Sequence, residues 1–154
     1  MTAQSQLNSF IDRFTPEIAA LAKAALAKMT ARFPAAIQLV YDNYNALVIG
    51  FGPTERPSEA VFSIVLYPRW VTLFFLDGVD LPDPQNLLKG GGKHVRHIVL
   101  ESAAMLDQPA VRALMKHAVK AAEKKFDSNG SGRLIIRSIS PKQRSRRPGE
   151  KGSK

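Results

Sequence analysis

The chain has no cysteine. Disulfides, thiolate metal sites and cysteine nucleophiles are therefore excluded, and the composition fits a reducing compartment. Long apolar runs are missing too: the most hydrophobic stretch is broken by Ser63, Pro68, Arg69 and Asp77, well short of the roughly 18 residues that span a bilayer. The start of the chain lacks a basic segment followed by an apolar core and a small-residue cleavage site, so a cytoplasmic protein with no membrane association is expected. Acidic residues are scarce, 13 against 22 Lys and Arg, but the imbalance is local. Residues 1–127 carry 14 Lys and Arg against 12 Asp and Glu, a net of +2, whereas residues 128–154 carry 8 against Glu150 alone, a net of +7. The basic character belongs to the C-terminal end, which argues against a body built around phosphate backbones.

What is present describes an architecture. Leu7, Phe10, Ile11 and Phe14 have the i, i+3, i+4, i+7 spacing of one apolar helix stripe. Thr15, Pro16 and Glu17 then open a second helix, as N-cap, first-turn proline and dipole-matched acid. Its buried face runs from Ile18 to Met29, and Pro34 ends it. Residues 37–41 and 46–51 favour strands around the turn residues 42–45. Residues 60–67 and 70–76, β-branched and aromatic runs separated by Pro68 and Arg69, read as a second hairpin. A long Asp-, Pro- and Gly-rich connection leads to a short strand at 95–100. Asp107 is expected to cap a last helix with Pro109 in its first turn and a buried stripe from Val111 to Ala122. These pieces predict a single α+β domain over residues 1–127: a two-layer sandwich with an antiparallel sheet of about five strands packed by N- and C-terminal helices. Residues 128–154 read as a small-residue linker, an apolar run at 133–139 that adds an edge strand or pairs only with a partner, and a basic tail expected to be disordered from Lys142 to Lys154.

The candidate sites are few. Gly90, Gly91, Gly92, Lys93 and Arg96 form a glycine-and-basic loop that suits a small anionic ligand or a protein partner, because glycines let backbone amides approach an anion. It is not a P-loop, since Leu87 and His94 stand where that motif needs Gly and Ser or Thr. Gly50, Phe51 and Gly52 fail as a dinucleotide fingerprint because Glu55 replaces the third glycine and no helix follows. His94 and His97 fall on opposite faces of a strand, and Asp77, Asp80 and Asp83 read as turn chemistry. Arg69 and Trp70 at the hairpin turn offer a partner contact. Lys142, Arg144, Arg146 and Arg147 suggest weak, salt-sensitive, nonspecific nucleic-acid binding through the tail. No motif that activates a nucleophile or builds a catalytic metal site is present, and no catalytic residue is assigned. Exposed strand edges and residues 134–136 make homo-oligomers plausible.

The order of pieces, with Tyr44, Asn45 and Ala46 at a turn, a strand ending in Gly50, the hairpin from Ser63 to Phe75, and Gly92 and Lys93 leading into Val95, Arg96, His97 and Ile98, resembles the YdhG-like domain family, domain of unknown function 1801. The likeness covers roughly residues 18–122 and implies a small sandwich similar in outline to frataxin. Some relatives have been proposed as iron chaperones, so iron handling is the alternative that the resemblance implies. The first two helices, however, offer only Asp12 and Glu17 against Arg13, Lys23, Lys28 and Arg32, and a hard cation wants several oxygen ligands. No metal residue is carried over.

Overall fold

A computed structural model describes residues 2–127 and 129–149. Two N-terminal helices, α1 (Ala3–Asp12) and α2 (Pro16–Arg32), precede a six-stranded mixed sheet. Thr2 caps α1 by accepting from Ser5 N at 3.0 Å, and Thr15 caps α2 by accepting from Ile18 N at 3.4 Å, with Pro16 in the first turn. The strands are β1 (Ile37–Asp42), β2 (Leu47–Gly52), β3 (Phe62–Leu66), β4 (Val71–Phe75), β5 (Arg96–Leu100) and β6 (Arg133–Ile139), with α3 (Pro109–Ala121) between the last two. Their spatial order is β5-β4-β3-β2-β1-β6.

The two hairpins fall where the turn residues predict them: Asn43 N donates to Ala46 O, and Tyr67 N donates to Trp70 O. Strand alternation sends Val40, Leu47, Ile49, Phe51, Phe62, Ile64, Leu73 and Phe75 to the face that packs with the helices. Their helix partners are Leu7 and Ile11 on α1, Phe14 just after it, Ala22, Ala25 and Met29 on α2, and Val111, Leu114 and Met115 on α3. Small alanines on α2 let that helix lie close to the sheet. Burying each large side chain stabilises the fold by about 1.5–3 kcal/mol.

Three features differ from the expectation. First, the sheet gains β6, which pairs parallel to β1, so it is six-stranded and mixed. Leu134 and Ile136 pack against the core, and a bulge at Arg137 follows them, between the pairs Val40–Ile136 and Tyr41–Ser138. Gly132 opens the strand under a tight constraint: a Cβ there would sit 2.5 Å from Pro34 O and 2.7 Å from Ala36 O, while its own N–H donates to Pro34 O at 2.9 Å. Second, Asp107 does not cap α3. It ends a 3-10 turn (Ala103–Asp107), and Gln108 stands at the N-cap with no side-chain bond. The Asp107 carboxylate instead reaches Lys28 Nζ at 2.5 Å and Arg32 Nη2 at 2.8 Å on α2. Two nearby cations compete better for it than one helix terminus.

Third, the basic segment expected to be disordered is folded through Gly149, whereas residues 150–154 of that expectation lie outside the described residues, as does Ser128 of the linker. The Arg146 guanidinium reaches Asp42 Oδ1 at 2.7 Å, both side chains being 2% exposed, and donates to Asn43 O at 2.6 Å. It also lies 5.6 Å from the centre of the Phe14 ring. Gln143 is buried as well, donating to Asp42 O and accepting from Arg13 Nη1. Composition predicted disorder because the segment holds no apolar residue; polar burial replaces it. Asp42 is the reason: a carboxylate at the end of a buried strand needs a cation, and the chain returns to supply one.

Candidate interaction site

The glycine-and-basic loop sits at the β5 edge of the sheet. Lys89 and His97 exchange two backbone hydrogen bonds of 2.9 Å, so the chain just before the glycines is clamped to β5. Gly90 has φ +115°, a left-handed conformation that glycine adopts without strain, and Gly91 has open space around it. Arg96 folds back on the loop: its Nη1 donates to Gly92 O at 2.6 Å and Val95 O at 2.8 Å. Its guanidinium thus organises loop carbonyls, while Lys93 points into solvent. His94 Nδ1 lies 3.4 Å from Asp77 Oδ1, and Asp83 accepts from the Leu87 and Leu88 amides. Asp83 therefore shapes a turn. Among the described residues, no group of three or more His, Asp or Glu side chains is placed to hold a metal ion. No helix there is long and apolar enough to cross a membrane.

At the β3–β4 turn Trp70 is 46% exposed and leans on Tyr67, ring centres 5.5 Å apart; burial pushes the Tyr67 phenol above its ordinary pKa. Arg69 is exposed beside it. The tail cations are spread over different tasks. Arg146 is buried in its ion pair, Arg147 Nε donates to Arg13 O at 3.1 Å, and Arg144 lies over the Tyr44 ring at 5.6 Å. Lys142 is exposed. These four residues do not form one basic surface.

A basic surface does form within the nearly neutral body of the chain. Between the end of α2 and the outer side of α3 runs a groove of about 890 Å³. Half-buried Phe33 and Val119 give it an apolar floor, with Met115 buried beneath. Phe33 is held in place by Phe62 and Phe126, at ring-centre distances of 5.1 and 5.7 Å. Along α3, next to that floor, stand Arg112, Lys116 and Lys120. A spacing of four residues keeps them on one side of the helix with about 6 Å of rise per step. All three are exposed, and among the described residues none has an ion pair or side-chain hydrogen bond. On the α2 side Arg32 is engaged by Asp107, Leu106 O and Met115 Sδ, which ties the two walls together. Lys28 and Arg32 hold the Asp107 carboxyl below the usual carboxylate range, chiefly through the Lys28 hydrogen bond.

Comparison with protein-family models, with curated proteins and with solved structures finds no match to this chain. The site must be judged by its own chemistry. Sequence reasoning passed over it because α3 was read by its buried stripe alone. The signal was available on the other face, where three cations repeat every four residues beside Ala113 and Val119, with Phe33 just beyond the end of α2.

Proposed function

We propose that this chain is a non-enzymatic interaction module that holds an anionic partner, a small ligand or a protein, in the groove between α2 and α3. One observation carries the reading: Arg112, Lys116 and Lys120 line an apolar groove, and among the described residues no acidic side chain neutralises them. Like charges at i, i+4 cost a helix about 0.2–0.5 kcal/mol per pair. The C-terminal end of the α3 dipole favours Lys120 alone; an anion in the groove would offset the repulsion along the whole row. The likeness of residues 18–122 to YdhG-like domains implies the same sandwich and adds no chemistry, so the reading rests on the groove. The glycine loop is a weaker seat, because Arg96 is turned onto loop carbonyls.

The test is a fluorescence-anisotropy titration with a labelled 20-residue polyglutamate, at low and at high salt. We expect binding at low salt that fades as the Debye length shortens. The triple variant R112E/K116E/K120E should abolish it, and K93A and K142A should leave it unchanged. Equal binding by the triple variant, or none by the native chain, overturns the reading.

A further inference from the structure

Resting on that reading, we infer that the occupant of the α2–α3 groove is a short acidic amphipathic helix of a partner protein. The apolar floor and the cationic row lie side by side: half-buried Val119 on α3 and half-buried Phe33 just past α2 adjoin Arg112, Lys116 and Lys120, which are spaced four residues apart. A ligand that satisfies both must present an apolar stripe and, adjacent to it, an acidic one. A helix does this, because successive side chains are rotated by about 100° and residues at i, i+3, i+4 and i+7 make one stripe beside another. A strand does not, because its neighbouring side chains point to opposite faces, so an acid next to a floor-facing residue turns away from the wall. The groove also lies away from the sheet edges β5 and β6, so it offers no backbone ladder for an extended peptide.

The apolar floor separates this occupant from nucleic acid. Phosphates would satisfy the three cations but leave Phe33 and Val119 facing sugar and water. Among the described residues Phe33 is the one aromatic lining the groove and its ring already packs on Phe62 and Phe126, whereas stacking of successive bases uses several exposed rings. Charge complementarity steers the acidic face, and burial of the apolar stripe holds it.

The experiment is a display selection of random 14-residue peptides on the immobilised full chain, followed by anisotropy with one fluorescein-labelled winner and with a single-stranded 20-nucleotide DNA. The inference expects enriched peptides with apolar residues at i, i+3, i+4 and i+7 and Asp or Glu on the adjoining stripe. Replacing either stripe of the winner by Gln should weaken binding at least about ten-fold, as should Lys116→Glu in the protein, an exposed change that leaves the core intact. Val119→Gln, checked for folding by circular dichroism, should do the same without altering charge. Acidic winners that lack helical periodicity, or that bind the apolar-stripe Gln variant equally well, overturn the helix and leave the anionic module standing. DNA binding tighter than any winner at the same salt overturns it in favour of nucleic acid. Winners indifferent to both Lys116→Glu and Val119→Gln place the contact elsewhere and overturn it. Failure of every anionic probe, polyglutamate included, takes the module down as well.

Discussion

Two basic regions of this molecule use their charge in opposite ways. The C-terminal segment is dense in Lys and Arg, yet its central cation, Arg146, is buried against Asp42. Helix α3 belongs to a nearly neutral part of the chain, yet Arg112, Lys116 and Lys120 stand exposed without a partner among the described residues. Density of charge along a sequence therefore says little about charge available to a ligand. What decides is whether the fold holds an acid for each cation: Asp42 and Asp107 are placed to consume Arg146, Arg32 and Lys28, while no described acid pairs with the α3 row.

The contrast breaks most readily at Arg146. Arg146→Ala leaves the Asp42 carboxylate buried with only Arg13 Nη1 at 3.5 Å, and removing one partner of a buried pair costs about 3–5 kcal/mol. Urea denaturation should show a loss of that size, whereas the α3 variant R112A/K116A/K120A should leave the midpoint nearly unchanged. A near-native midpoint for Arg146→Ala would mean that the segment is decoration, and the contrast would collapse. A smaller loss is expected from Gly132→Ala. Its Cβ meets the Pro34 and Ala36 carbonyls, which are backbone and must shift to admit it. Such overpacking costs about 1–3 kcal/mol. The loss should appear in the same denaturation curves, and its absence would show that β6 is loosely attached.

Much of the fold was legible because it rests on local patterns: the apolar stripes of α1 and α2, the Thr15 cap, and the two tight hairpins. The parts that differed depend on contacts distant in sequence. Asp107 has the composition of a cap, and only the approach of Lys28 and Arg32, some 75 residues away, redirects its carboxylate. The burial of Gln143 and Arg146 depends on Asp42, about 100 residues earlier, and no window of sequence contains both. The groove was half legible. Its cationic row is a four-residue repeat within one helix, but its floor needs Phe33 from another element, positioned by Phe62 and Phe126.

The finest test concerns Asp107, whose ion pairs fix the 3-10 turn before α3 to α2 and so set the walls of the groove. Its carboxyl titrates below the usual range in the folded protein because Lys28, and then Arg32, favour the charged form. A carboxylate with a lowered folded pKa binds its proton more readily when unfolded. Its contribution to stability is therefore fully present above the unfolded pKa and is lost as the pH falls through the lower folded value. Asp107→Asn should consequently melt slightly below the native chain near neutral pH, and the gap should close on acidification through the carboxylate range. Both pairs are on the surface, so the shift should be the smallest of the series and should shrink in high salt. A gap that persists unchanged at low pH would assign the effect of the substitution to packing instead of charge, and the tie between the groove walls would then lie in the Arg32 contacts to Leu106 O and Met115 Sδ.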